Sequence, residues 1–265
     1  MLRPKNNKTK PRIKHRPFLK WAGGKFRLTD DLNRVFPKRK QCLIEPFVGA
    51  GAVFLNSHFE RYILADINPD LINLFNIVKE NVDAYIEACK PIFFAENANT
   101  ADYYYTQRDA FNQSSDPFER SVLFLYLNRF GFNGLCRYNS KNEFNVPFGA
   151  YKTHYFPEDE LRYFAHKAQS AVFLCADFQQ TFELADKHSV IYCDPPYAPL
   201  PQDTNFTGYA GNAFGLEHQK NLAECAKKAQ KEKGAKFKRV KVQRSISQSS
   251  EKRVKVKELI AIFKG

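Results

Sequence analysis

The chain has 265 residues, of which 43% are hydrophobic, and a formal charge of +13 from 41 Lys and Arg against 28 Asp and Glu. This length is sufficient for a large core and one or two domains. An aromatic content of 15% excludes a mostly disordered chain, and no apolar run approaches the roughly 20 residues of a membrane span. The basic excess indicates a polyanionic partner, and we favour nucleic acid over a merely solvated basic surface.

The N-terminus and the cysteines narrow the class further. The six cysteines form no CxxC pair and the six histidines are scattered, so neither a metal site nor a disulfide framework is expected. The basic N-terminus lacks the apolar stretch of a signal peptide, which predicts a cytoplasmic protein without membrane association. Residues 1–16 carry seven Lys or Arg and no acid, a pattern typical of a flexible basic arm.

Strand and helix patterns then alternate along the chain. A helix is predicted over 69–89, with Asn68 as its N-cap and a proline in its first turn. Another is predicted over 216–234, ending at a glycine. Short apolar runs typical of buried strands occupy 41–47, 61–67, 171–177 and 189–194. This alternation predicts an α/β fold with a Rossmann-like parallel sheet covered on both faces.

The alternation is interrupted from about residue 90 to 157, where a helix is followed by loops and a hairpin pattern. We therefore assign 71–157 to an inserted, mainly helical domain, and 17–70 with 158–265 to a discontinuous main domain. After the last helix, KFKRVKVQRSIS alternates charged and apolar residues. That pattern favours an edge strand or a surface beside a phosphate backbone.

A Gly-x-Gly loop lies between a strand and a helix in EPFVGAGAVFL (45–55). Gly49 and Gly51 allow a tight turn and close approach of the backbone to a ligand. Phe54 stands where a dinucleotide fingerprint requires glycine, which disfavours a nicotinamide-dependent oxidoreductase and favours a smaller nucleoside-containing ligand. Asp66 ends the next strand and is suited to accept hydrogen bonds from ribose hydroxyls; the alternative is a helix cap.

Two further segments carry candidate ligand-binding residues. FLKWAGGK (18–25) contains the only tryptophan, Trp21, beside two glycines, and is more typical of a loop that lines a ligand than of core. In VIYCDPPYAPL (190–200), the tetrapeptide 194–197 ends an apolar strand that two prolines cannot continue. A carboxylate, a rigid carbonyl and an aromatic face suit a planar amino group; the alternative is a proline turn that caps the strand.

The order of the motifs carries a family resemblance. They run FLKWAGGK, EPFVGAGAVFLN, YILADIN, FLYLNRFGFNGLCRYN, FNVPFGAY, CDPPYAPL and RSISQSSEKRVKVKELIAIF. In this order they resemble the Dam-type DNA adenine-N6 methyltransferases of the N(4)/N(6)-methyltransferase family, from about Arg16 to Gly265. The resemblance implies methyl transfer from S-adenosylmethionine to N6 of an adenine flipped out of double-stranded GATC. It implies no metal and no obligate protein partner, in a bacterial or phage-encoded enzyme.

The resemblance also implies roles for individual residues, and makes 71–157 a target-recognition domain. The target adenine would be held by Asp194, Pro195, Pro196 and Tyr197. The cofactor would be bound by Trp21, Lys25, Gly49, Gly51, Asp66, Asp177, Phe178 and Asp194. DNA would be entered and read by Phe132, Asn133, Leu135, Arg137 and Pro147. Arg137 is suited to bidentate contact with guanine, or alternatively to a phosphate contact.

One departure from the family pattern lies after the 216–234 helix, where KEKGAKF leads directly into KFKRVKV. The family has about one more strand and helix here, roughly twenty residues. The sheet is therefore expected to lack a strand beside that of Asp194. A catalytically impaired DNA-binding relative is one alternative to an active enzyme, and methylation of another amino group, cytosine N4 or RNA adenine, is a second.

Overall fold

The computed structural model describes residues 13–37, 41–196, 214–233, 236–243 and 255–262. The strands are β1 (Cys42–Glu45), β2 (Arg61–Asp66), β3 (Ala171–Cys175), β4 (Ser189–Tyr192), β5 (Lys236–Gln243) and β6 (Lys255–Ile262). The α-helices are α1 (Thr29–Val35), α2 (Ala52–Asn56), α3 (Pro69–Glu80), α4 (Val82–Phe93), α5 (Ala101–Gln113), α6 (Pro117–Phe130), α7 (Glu158–Ala168), α8 (Phe178–Glu183) and α9 (Leu216–Lys233). Short 3₁₀ turns cover Phe26–Leu28 and Phe132–Gly134.

The strands form one sheet in the order β3-β2-β1-β4-β6-β5. β1 pairs in parallel with β2 and β4, and β2 pairs in parallel with β3. Every residue of the central strands β1 and β4 is buried, which explains why both read as continuous apolar runs. The predicted α/β, Rossmann-like class is confirmed. Because β1 to β4 run in the same direction, their carboxyl ends meet at one edge of the sheet.

The antiparallel strands of the sheet show what lies beside β4, where the short KEKGAKF connection predicts a missing strand. β6 pairs antiparallel with β4, with Val190 opposite Ile262 and Tyr192 opposite Ile260. The position beside β4 is therefore occupied, by β6 and not by a further parallel strand. β5 pairs only with β6 in the described sheet and ends it, as the alternating pattern of KFKRVKV predicts for an edge strand.

The single helix predicted over 69–89 is wrong, because the structure contains two helices here. Asn68 caps α3 as expected, since its side chain accepts hydrogen bonds from the backbone N–H groups of Asp70 and Leu71. Asn81 leaves the helical conformation at φ −151° and ψ 82°, and its side chain accepts from Ala84 to cap α4. The apolar spacing continues on both sides of Asn81, so periodicity alone does not reveal the break.

The sheet and the inserted helices share one continuous core. α3 packs against β2 and β3 on one side and against α6 on another, and the buried Phe75 lies 4.8 Å from Phe164 of α7, measured between ring centroids. A smaller core lies between the other sheet face and α8 and α9. Because α3 contacts both parts, packing does not separate 17–70 from 71–157, and that division stays a prediction.

The described end of the predicted arm contacts the body. The His15 ring stacks on Tyr163 at 3.4 Å between centroids, and Lys14 lies 2.6 Å from an Asp30 carboxylate oxygen. Lys14 and His15 therefore contact the body of the protein, and the flexible basic arm over 1–16 stays a prediction. Residues 1–12 lie outside the described ranges. Among the described helices, none is both long and apolar enough to cross a membrane.

Candidate active site

Four acidic residues follow the parallel strands at one edge of the sheet, and we call them the acidic edge. Glu45 ends β1, Asp66 ends β2, Asp177 follows β3 and Asp194 follows β4. The paired strands in front of them place these carboxyl groups at one edge of the sheet, from residues up to about 150 positions apart. In open α/β sheets this edge is the usual place for a ligand.

The glycine loop after β1 is built for close backbone contact. Gly49 and Gly51 have φ values of +48° and +73°, in the left-handed region that favours glycine. A Cβ atom on Gly49 would lie 2.9 Å from Nε1 of Trp21. The indole of Trp21 therefore packs directly on the loop, and the two predicted cofactor motifs meet at this point.

Asp66 braces the same loop from β2. Its carboxylate accepts hydrogen bonds from the backbone N–H of Gly49 at 3.2 Å and of Asn68 at 3.0 Å. Burial raises the pKa of Asp66 to about 6, and the backbone hydrogen bonds oppose part of that rise. Each carboxylate oxygen has two lone pairs, so these contacts leave capacity to accept from ligand hydroxyls.

Asp194 is joined to FLKWAGGK by an ion pair. Lys25 Nζ lies 2.6 Å from Oδ1 of Asp194 and also donates to the carbonyl of Gly23 at 3.1 Å. Lys25 is 8% exposed, so this ion pair is largely shielded from water. Pro195 and Pro196 are half-buried, whereas Tyr197 lies outside the described residues.

Glu45 is a buried acid that the sequence analysis did not select. Burial raises its pKa well above the ordinary value, and the nearby Asp194 raises it further. One carboxyl oxygen has no hydrogen-bond partner, while Phe54 donates its backbone N–H to the group. Burial therefore favours the protonated, neutral form of Glu45 in the folded protein. The signal was present in LIEPF, where an acid ends an apolar strand directly before the glycine loop.

Asp177 and Phe178 lie where α8 begins. Asp177 caps the helix, accepting from the backbone N–H of Gln179 at 2.8 Å. Phe178 is buried and stacks on Phe47 at 5.7 Å, with Phe214 at 6.1 Å. Phe47 and Phe214 thus complete an aromatic cluster that was not predicted, because its members come from three separate segments.

The five predicted DNA-reading residues lie in a loop and hairpin over residues 131–148, called here the recognition hairpin. Antiparallel bridges join Gly131 to Phe148 and Tyr138 to Phe144. The exposed guanidinium of Arg137 donates to Oδ1 of Asn145 at 2.7 Å and to its backbone carbonyl at 3.0 Å. These five residues differ in exposure: Leu135 is half-buried, and the exposed ones are Phe132, Asn133, Arg137 and Pro147.

Lys20 connects FLKWAGGK with the recognition hairpin and was not selected from the sequence. Its Nζ lies 3.8 Å from the ring centroid of Tyr151 and donates to the Arg129 carbonyl at 2.7 Å. The Tyr151 hydroxyl in turn accepts from the backbone N–H of Asn133 at 2.7 Å. Burial and the nearby Arg129 lower the pKa of Lys20 to about 8. The first motif therefore contacts the acidic edge through Lys25 and is linked to the recognition hairpin by Lys20 through Tyr151.

Comparison with known proteins gives a consistent set of similarities. A family model described as D12 class N6 adenine-specific DNA methyltransferase matches residues 21–262. A protein of Haemophilus influenzae named DNA adenine methylase is 77% identical over 99% of each chain. Proteins of the same name from Escherichia coli K12 and Vibrio cholerae O395 are 54% and 53% identical, over 95% and 94% of this chain and 96% of each relative.

The alignment with the Haemophilus protein also bears on chain length. It extends over 282 positions, 17 more than the 265 residues present here. At least 17 positions of that alignment therefore have no counterpart in this chain. An alignment of this length is expected for a chain shortened by about one strand and helix, the departure inferred from the KEKGAKF connection.

Proposed function

Since the chain belongs to the D12 class of N6 adenine-specific DNA methyltransferases, we propose that it methylates adenine N6 in double-stranded GATC with S-adenosylmethionine as methyl donor. Its substrate is DNA, and the family assignment makes it an enzyme. The observation that carries the proposal is the Lys25–Asp194 ion pair. Together with the Gly49–Asp66 hydrogen bond, it joins residues of four separate motifs at one edge of the sheet.

The acidic edge fits the proposed cofactor. The half-buried Asp66 carboxylate has remaining acceptor capacity for a ribose diol, and Gly49 lets the backbone approach without a side chain. When bound, S-adenosylmethionine supplies an electrophilic methyl group on a sulfonium sulfur. The residues proposed to hold it are Trp21, Lys25, Gly49, Gly51, Asp66, Asp177, Phe178 and Asp194.

The proposed chemistry at the target base rests on Asp194 and the proline turn. The adenine leaves the base stack at a cost of a few kcal/mol, and Tyr197 stacks on it. Asp194 and the Pro195 carbonyl accept hydrogen bonds from the amino group, which draws its lone pair out of conjugation with the ring. Holding the reacting atoms in line lowers the barrier by about 7–11 kcal/mol. Asp194 need not take a proton first, because the amino proton becomes acidic after transfer.

Sequence recognition is assigned to the recognition hairpin. Arg137 is held by Asn145 with its guanidinium exposed, as bidentate contact with guanine O6 and N7 requires. The exposed Phe132 and Pro147 and the half-buried Leu135 supply apolar contacts to bases, and Asn133 a polar one. The positive charge of the chain adds affinity that is independent of sequence and decreases with salt. We further propose a cytoplasmic enzyme, as expected for a DNA-modifying protein with bacterial relatives.

The experiment that tests this function uses labelled S-adenosylmethionine with a GATC duplex and with a scrambled duplex of equal composition. Label at N6 of adenine in the GATC duplex alone is the expected result. Equal label in both duplexes refutes the sequence specificity. Binding of GATC without label in either duplex identifies the impaired DNA-binding relative, which the shortened chain makes the second candidate.

A further inference from the structure

The two residues that flank Arg137 in the recognition hairpin both contact the segment that follows β2. The Tyr138 hydroxyl donates to Oδ2 of Asp70 at 2.6 Å. Asn68 Nδ2 lies 3.3 Å from the sulfur of Cys136. Cys136 and Tyr138 are both buried, at 4% and 8% exposure, while Arg137 between them is exposed. The neighbours of Arg137 therefore act as anchors, and the reading side chain projects outward.

Asp70 is itself held firmly in place. Arg120 of α6 binds both of its carboxylate oxygens, from Nε at 2.9 Å and from Nη2 at 3.0 Å. The same guanidinium donates to the carbonyls of Phe111 and Ser114 at 2.7 Å and 3.0 Å and lies 4.1 Å from the Phe111 ring centroid. A bidentate arginine–carboxylate pair has a defined geometry. Asp70 thus presents a rigid acceptor to Tyr138.

We propose that Asp70 and Tyr138 are positioning residues for DNA sequence recognition. They fix the hairpin so that Arg137 reaches its base pair from one defined place. In the described hairpin, two isolated bridges take the place of a continuous ladder, so side-chain ties carry much of its position. Tyr104 and Asn112 of α5 hold the segment over 144–146, and the ties to Asn68 and Asp70 hold the residues on both sides of Arg137. This inference rests on the proposed function, and assigns the proposed specificity to a contact that does not touch DNA.

The test is Tyr138→Phe, which removes one hydroxyl and leaves the ring in place. The matched control is Tyr85→Phe, which removes another buried hydroxyl, donating to the Ser121 carbonyl at 2.8 Å. For each protein, kcat and KM are measured on a GATC duplex and on a duplex with one altered base pair. Gel-shift affinities for the same pair and the melting temperature are also measured. Asp70→Asn is the second variant, because it keeps the shape but removes the charge.

For Tyr138→Phe we expect the discrimination between the two duplexes to fall by about 5- to 20-fold, a fraction of what one bidentate base contact provides. The change should appear in KM and in gel-shift affinity, with kcat on GATC within twofold of the parent. Asp70→Asn should act in the same direction. Tyr85→Phe should lower the melting temperature similarly and leave discrimination unchanged.

Two results for the variants overturn the inference. A lower melting temperature with unchanged discrimination shows that the contact only stabilises the fold, and an equal loss of kcat on both duplexes shows that it acts on the chemistry. The gel-shift ratio separates this inference from the proposed function. A parent protein that binds GATC selectively but transfers no methyl group refutes the methylation proposal alone, and the variants still test positioning. A parent that binds and methylates both duplexes equally refutes GATC recognition and, with it, the positioning inference, but leaves methyl transfer to adenine intact.

Discussion

The acidic edge and the recognition hairpin differ in what holds their side chains. Asp66 ends β2 and Asp194 follows β4 closely, and the backbone pairing of these strands fixes the positions of both residues. Arg137 lies in a hairpin held by two isolated bridges and by side-chain contacts to Asp70 and Asn68. Changes at the acidic edge should therefore affect cofactor binding and the rate of methyl transfer. Changes in the hairpin should affect which sequences are methylated.

The largest effect should come from Asp194→Ala. Loss of the acceptor for the amino group should lower the single-turnover rate of methylation by about 10²–10³-fold or more, with little change in DNA affinity. Because the change leaves the buried Lys25 without this partner, Asp194→Asn is made in parallel to keep the shape of the site, and folding is checked by circular dichroism.

Asp31→Ala is the control for Asp194→Ala, since it removes an exposed carboxylate of α1. Unchanged turnover in Asp194→Ala would disprove the proposed role. If Asp194→Ala lost DNA affinity as well as turnover, the acidic edge would also be needed for DNA binding. Its role would then no longer differ from that of the recognition hairpin.

Arg137→Ala should lower the discrimination for GATC over a duplex altered at one G·C pair, by about 1–3 kcal/mol. The rate on GATC at saturating DNA should change less than the discrimination. Arg162→Ala, which removes an exposed arginine of α7 paired with Asp83, is the matched control for loss of charge. A uniform loss of affinity across all sequences, with a smaller salt dependence, would instead make Arg137 a phosphate contact.

Gly49→Ala should weaken cofactor binding by about tenfold, measured by calorimetry. Its left-handed φ costs about 1–2 kcal/mol for an alanine, and the new Cβ would lie 2.9 Å from Trp21 Nε1. Gly51→Ala is the matched control, because it has the same backbone strain with its nearest atom at 3.6 Å. If the two variants bind S-adenosylmethionine with equal affinity, displacement of Trp21 does not contribute to the loss of cofactor binding.

For Glu45→Gln we expect a change in the pH dependence of stability rather than in binding or turnover. Glu45 has a raised pKa in the folded protein, so its proton stays bound after the unfolded chain has lost it. At pH values below the ordinary glutamate pKa of 4.5, Glu45 is protonated in both the folded and the unfolded protein, so it does not change the free energy of unfolding. Above that value the parent loses up to about 1.4 kcal/mol per pH unit, until Glu45 ionises in the folded state.

Glutamine does not titrate, so the Glu45→Gln variant should become more stable relative to the parent as pH rises from 4.5, measured by urea unfolding at pH 4.5, 6 and 7.5. Parallel stability curves for the two proteins would show that Glu45 is ionised in the folded state. The acidic edge would then contain a second charged carboxylate, that of Glu45, close to Asp194.

The sequence alone determined the four parallel strands, the glycine loop, and the acids at the carboxyl ends of strands, because apolar runs, prolines and glycines act locally on the backbone. Only the tertiary structure decided the rest. The break at Asn81 is a local cap that the apolar spacing does not reveal. The pairing of β6 with β4, the raised pKa of Glu45 and the Tyr138–Asp70 contact depend on residues far apart in the chain. Burial and side-chain pairing across such distances leave no periodic pattern in a sequence, whereas strand and turn formation does.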